Sequence, residues 1–174
     1  WLVLLFAFVL LFIRLAKTTD IVRNGPPIGT QKQPYSLGRI QMAWWFVLIL
    51  AGFVAIALIS GDEASINPSL LALMGISAAT ALGSAAIDTS PATTTTATES
   101  ENWFLDILKD DAGTIALHRL QIVAWTIVLG IMFIASVCTK LTMPEFSGTL
   151  LALMGVSGGT YLGFKIPGVT KSGG

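Results

Sequence analysis

The sequence predicts an all-α membrane protein with five transmembrane helices: one anchor helix followed by two parallel two-helix hairpin repeats. Three observations lead there. Of 174 residues, 53% are hydrophobic and only 11% charged, with mean hydropathy +0.76. A water-facing domain carries about one quarter charged residues, so this composition argues against a soluble enzyme or a disordered chain. Five apolar runs approach the ~20 residues needed to cross a hydrocarbon core of ~30 Å. The chain also aligns with itself, without a gap, at a shift of 80 residues.

The first run, residues 1–16, is read as the anchor helix. It starts at Trp1 without an initiator Met, so the natural chain is expected to start earlier. A cleaved signal peptide has its positive charge before the apolar run. Here Arg14 and Lys17 follow it, which favours an anchor. Residues 17–36 form a loop made irregular by Gly25, Pro27 and Pro34. Residues 37–87 are the first hairpin repeat, with spans at 42–60 and 68–87. Asn67 and Pro68 supply a helix cap and a first-turn proline. Residues 88–116 are a linker. Its first part is rich in Ser, Thr, Pro, Ala and Glu, with four threonines at 93–96, and has nothing with which to build a core. Its second part, WFLDILK at 103–109, reads either as a short interfacial helix with Trp103, Phe104, Ile107 and Leu108 along one side, or as a loop with an aromatic anchor. Residues 117–166 are the second hairpin repeat, with spans at 122–139 and 148–166 and Ser147 as a cap. Residues 167–174 form a tail.

The repeat is the most specific signal. Residues 70–83 read LLALMGISAATALG and residues 150–163 read LLALMGVSGGTYLG, identical at ten of 14 positions. Upstream, Leu37, Arg39, Gln41 and Trp45 match Leu117, Arg119, Gln121 and Trp125. Shared apolar bias alone does not align Arg, Gln, Trp, Ser and Thr in register. Parallel repeats are related by an axis along the membrane normal, which removes support for transport by inverted halves.

If the spans alternate, Arg14, Lys17, Arg23, Lys32, Arg39, Lys109, Arg119, Lys165 and Lys171 share one side and Lys140 alone faces the other, beside Asp62, Glu63 and Glu145. The positive-inside rule then places the N-terminus outside and the C-terminus in the cytoplasm. Balanced charge, ten Lys+Arg against ten Asp+Glu, gives no basic footprint for nucleic acid.

Two rows of residues are candidates for function. Gly75, Ala79 and Gly83, matched by Gly155, Gly159 and Gly163, put small residues at i, i+4, i+8, a spacing that lets helices approach closely. Two readings are open: the rows pair inside one chain across the pseudo-twofold axis, or they receive another chain. On roughly the opposite side, Ser77, Thr80 and Ser84, matched in part by Ser157 and Thr160, could line a polar conduit. More simply, they bond carbonyls one turn back. Arg39, Arg119, Gln41 and Gln121 sit where interfacial side chains anchor depth and meet lipid phosphate. Trp44, Trp45, Trp125 and Tyr35 fit an aromatic belt. Met74 and Met154 read as packing residues, His118 as interfacial, Cys138 as a small apolar residue, and Asp106, Asp110 and Asp111 as a solvated face.

No nucleophile elbow, phosphate loop, HExxH or Cys/His cluster is present in the sequence. No catalytic residue, cofactor or metal is therefore assigned, and a buried pocket of titratable groups is expected to be absent. The stretch from Tyr35 to Trp45 (YSLGRIQMAWW), Asn67-Pro68-Ser69 and the segment after them, together with His118-Arg119-Leu120-Gln121, Met143-Pro144-Glu145-Phe146 and Thr160-Tyr161-Leu162-Gly163-Phe164-Lys165, resembles a group of bacterial multi-pass inner-membrane proteins with no assigned activity. The resemblance implies a bacterial inner-membrane location and brings no ligand or site. The expected role is a non-enzymatic scaffold or accessory subunit packing through its small-residue faces, with membrane lipids and itself or other membrane proteins as partners. The alternative is an oligomeric conduit lined by the Ser/Thr rows.

Overall fold

The computed structural model describes residues 2–24, 33–61, 66–89, 100, 102–109 and 113–166. The Thr-rich run, Gly25 to Pro27, Lys32, Asp62, Glu63, Asp110, Asp111 and the segment with Lys171 lie outside the described residues. Every named element is a helix: α1 (Leu2–Thr18), α2 (Leu37–Ser60), α3 (Pro68–Asp88), α4 (Trp103–Leu108), α5 (Leu117–Lys140) and α6 (Gly148–Lys165).

Three helices, α2, α3 and α5, are long and apolar enough to cross a membrane, which is compatible with a membrane-embedded protein. At 1.5 Å per residue the 24 residues of α2 and of α5 reach about 36 Å. Only 22%, 33% and 28% of their most apolar stretches are buried inside the chain. Ile127, Ile131 and Ile134 on α5 and Leu71 and Leu82 on α3 point outward. Apolar exposure on that scale is foreign to a soluble monomer. The other two predicted spans are also helices, but α1 has 17 residues and α6 has 18, interrupted by Gly155, Ser157, Gly158, Gly159 and Thr160.

Helices α2, α3, α6 and α5 pack in a closed ring, each touching the next, with α1 against α2 and the short α4 against α2 and α5. Contacts step forward together along both like pairs. Thr80 meets Gly158, Ser84 meets Tyr161 and Asp88 meets Lys165, so α3 and α6 run parallel. Gln41 meets Thr126 and Gly52 meets Phe133, so α2 and α5 do too. The end where α2 and α5 begin is called the base, and the opposite end the turn end.

Local chemistry explains the boundaries. Asn67 and Ser147 each cap their helix by accepting the N–H three residues on, from Leu70 and Leu150. Helices α2 and α5 end at Gly61 (φ 75°) and Leu141 (φ 50°), both left-handed, each N–H bonding the carbonyl four residues earlier. At the base, backbone bonds pin the chain before each of these helices: Ser36 N–H to Val22 O at 2.8 Å and Asn24 N–H to Pro34 O at 3.1 Å before α2, and Ala116 N–H to Leu108 O at 3.0 Å before α5. At the turn end, Asn67 Nδ2 donates to Pro144 O at 2.8 Å and Phe146 N–H donates to Ser69 Oγ at 3.0 Å, tying the two turns together.

The core has two parts. The larger joins Trp45, Ile49 and Ile56 of α2, Leu70 and Leu73 of α3, Leu129, Phe133 and Val137 of α5, Phe146 and Met154. The smaller lies at the base and joins Leu37, Ile107, Leu108, Ile122 and Tyr161. Trp45 is fully buried and meets Phe146 edge-on at 6.4 Å, so it belongs to the core and not to an interfacial belt. Trp125 packs half-buried against the same cluster, and Trp44 stays exposed beside Gly130. Helix α4 is real, but its sides differ from the sequence expectation. Ile107, Leu108 and also Asp106 are buried, while Trp103 and Phe104 face outward.

Within the first hairpin, Gly38 sits against the α3 backbone: a methyl there would lie 3.1 Å from Ala81 Cα. Backbone cannot rotate away, so Gly38→Ala is expected to cost about 1–3 kcal/mol and to lower the unfolding midpoint in detergent. Gly155→Ala, whose added methyl meets nothing within 4 Å, is expected to raise that midpoint slightly, through the helix propensity of Ala over Gly.

Candidate functional site: a buried polar seam between α3 and α6

Helices α3 and α6 turn their hydroxyl-bearing faces toward each other. Ser77, Ser84 and Ser157 are completely buried, and Thr80 nearly so. Ser77 donates to Leu73 O, Thr80 to Ile76 O and Ser157 to Leu153 O, each at 2.8–2.9 Å. Each hydroxyl thus satisfies itself within its own helix and leaves a thin, closed surface. Thr160 does the same toward Val156 O from the rim. Gly158 makes the close approach possible, because a methyl there would lie 2.5 Å from Thr80 Oγ1.

Toward the base the seam becomes ionic. The Lys165 ammonium donates to Ser84 Oγ at 2.6 Å and to Asp88 Oδ2 at 2.8 Å, with the two charged side chains only 4% and 14% exposed. Ser84 Oγ also shares a 3.0 Å hydrogen bond with the Tyr161 hydroxyl. Cations lie near the Tyr161 ring, with Arg119 at 5.4 Å and Lys165 at 5.8 Å from its centroid, in reach of cation–π attraction. His118 stacks on Phe164 at 4.7 Å and tilts toward Tyr161 at 6.3 Å. Beside it, Asp106 accepts from Tyr35 N–H at 3.2 Å and from Ser100 Oγ at 2.7 Å, while Arg119 Nη1 reaches Asp106 O at 3.4 Å.

The cluster corrects several sequence expectations. Buried titratable groups are present, packed against partners. Asp106 is not on a solvated face, because α4 docks with its carboxylate turned to the chain before α2. Arg119 is 5% exposed, so it is held under Tyr161 and does not snorkel. Its counterpart Arg39 is half-exposed. Gln41 is buried and donates to Thr126 Oγ1 at 3.2 Å, while Gln121 stays half-buried. The small-residue rows are not where α3 and α6 meet: methyls built at Gly75, Gly155, Gly159 and Gly163 touch nothing, and Ala79 is exposed. Only Gly83 has a close neighbour, Leu162 Cδ1 at 2.7 Å from an added methyl. Two helices in contact bury one stripe each, and the hydroxyl stripe already fills that place.

Sequence reasoning passed over Asp88, Tyr161 and Lys165. One signal was available. At the 80-residue shift, Lys165 corresponds to Ala85, one helical turn from Asp88, so parallel packing of α3 and α6 brings the opposite charges to one level. Of the two hairpins only the second supplies the ring and the cations: Gly38, Ala81 and Ala85 stand where His118, Tyr161 and Lys165 occur.

Chemically the seam is a lock. The hydroxyls and charges of the seam are engaged with neighbours among the described residues. Removing one member of a buried ion pair strands the other, at about 3–5 kcal/mol. Lys165→Met is therefore expected to lower the unfolding midpoint sharply, and Lys165→Met with Asp88→Leu to recover most of the loss. Thermal unfolding in detergent measures both.

No protein family, curated protein or solved structure matches the chain.

Proposed function

We propose that this chain is a non-enzymatic scaffold or accessory subunit of the bacterial inner membrane, built as five spans in which an anchor helix precedes two parallel hairpin repeats. The bounds of α2 and α5 and the starts of α3 and α6, which recur at the 80-residue shift, matched caps at Asn67 and Ser147, and the parallel course of α3 with α6 and of α2 with α5 support the repeat reading. The basic residues gathered at the base support a cytoplasmic base and an outward turn end.

The observation that carries the role is the open row of Gly155, Gly159 and Gly163 on α6. A single chain leaves this surface of small residues unused while closing its hydroxyl face completely. In lipid, association depends on close packing and not on hydrophobic transfer, and an unfilled small-residue row is the surface best suited to it. The conduit reading loses ground for the same reason: its hydroxyls are spent on their own carbonyls in a sealed interface.

Gly155→Leu with Gly159→Leu is expected to dissociate the gently extracted particle to a lone chain, measured by native mass spectrometry, with the unfolding midpoint of the chain retained. A wild-type particle that is already a lone chain, or assembly indifferent to these leucines, contradicts the role. The orientation has its own test. Lys140→Cys in a Cys138→Ser background is expected to react with a membrane-impermeant maleimide added outside intact spheroplasts.

A further inference from the structure

Helix α1 does not close tightly on the ring. It leaves two hollows, of about 420 Å³ and 370 Å³, that share Phe12, Val22 and Ala43 as a common wall. The first runs along α1 and α2 to Trp44 and Trp103, and the second passes to the α3 side at Gly75. Their walls are almost wholly apolar. The exceptions stand toward the base: Lys17 in the first and Arg39 in the second. Neither cation has an ion-pair or hydrogen-bond partner for its side chain among the described residues. Of the other basic residues at this end, Arg23 is engaged with Asp20 at 3.6 Å and under Tyr35, and Lys165 with Asp88, while Arg14 lines neither hollow.

We infer that this paired hollow is a specific site for one anionic diacyl phospholipid, its phosphate between Lys17 and Arg39 and one acyl chain in each hollow. Two apolar slots with a shared wall suit two chains leaving one glycerol. Two unpaired cations where the slots meet the base suit one phosphodiester. A free phosphate gains nothing from the slots, and a zwitterionic lipid gains less from the cations. A bound lipid would also fill the space between α1 and the ring. The inference rests on the membrane-embedded reading but not on assembly, because the site lies within one chain.

The test is native mass spectrometry of the full chain in neutral detergent, titrated with dioleoyl phosphatidylglycerol or with dioleoyl phosphatidylcholine. It is run on the wild type and on the Gly155→Leu/Gly159→Leu chain, so that loss of assembly and loss of lipid are read separately. One phosphatidylglycerol is expected to remain bound, in preference to phosphatidylcholine. Lys17→Ala with Arg39→Ala is expected to weaken that preference by about thirty-fold, the weight of two cations facing an anionic surface. Ala43→Phe, which intrudes on both hollows, is expected to reduce retention of either lipid. Equal retention of the two lipids overturns the inference, as does a preference that survives the double alanine variant, or displacement of the lipid by inorganic phosphate.

Discussion

The contact between α3 and α6 determines how the rest of the chain is arranged. In a lipid environment two apolar helices gain little by leaving the surrounding tails, so their contact depends on close approach and on polar groups that find each other. Both are present here. Gly158 lets the α6 backbone approach Thr80, and the hydroxyls of Ser77, Thr80 and Ser157 are already satisfied, so the seam closes without stranding a donor. Lys165 then joins Ser84 and Asp88 across the base. With α3 and α6 fixed side by side, α2 and α5 complete the ring, and the turns that connect them are tied at the other end through Asn67, Ser69, Pro144 and Phe146.

The two hairpins resemble each other in outline and differ at their bases. In the first, Gly38 lies flat against Ala81, small against small. In the second, the same positions hold His118 and Tyr161, and the ring of Tyr161 gathers Arg119, Lys165 and Ser84 around it. Helix α4 belongs to this specialised side, with Ile107 and Leu108 packed beside Tyr161. The opposite side, near Arg39 and Gly75, has no such filling, and there α1 stands off to leave its two hollows. The helix ring thus has a rigid polar corner and an open apolar one.

Much of the fold could be read from the residues. The apolar runs gave the helices, Asn67-Pro68 and Ser147 marked their starts, and the back-bonding of Ser77 and Ser157 follows from hydroxyl chemistry in a helix. The inward faces of α3 and α6 could not be read. A helix that is apolar on every side carries no amphipathic stripe to mark its interior. Its small-residue row and its hydroxyl row lie on roughly opposite sides, each plausible as an interface, and spacing alone does not choose between them. The ionic end was hidden for another reason. Asp88 and Lys165 are 77 residues apart, each looks like an ordinary polar helix end, and only parallel packing of the two hairpins brings them together. The setting of Asp106 is hidden in the same way, since its partners Tyr35 and Arg119 lie on different segments. Trp45 was misjudged because the turn carrying Phe146 covers it.

The central claim is that α3 and α6 meet through hydroxyls and Gly158, leaving the glycine row free. Thr80 Cβ lies 3.7 Å from where a side chain at residue 158 would begin, within the separation of ~3.5–4.5 Å that a disulfide spans. In a Cys138→Ser background with a protease site placed in the Thr-rich run, Thr80→Cys with Gly158→Cys should oxidise in native membranes, so that the two halves stay joined on a non-reducing gel after cleavage. Gly75→Cys with Gly155→Cys should let the halves separate. The opposite pattern, with the glycine-row pair joined within one chain and the seam pair not, would contradict the account.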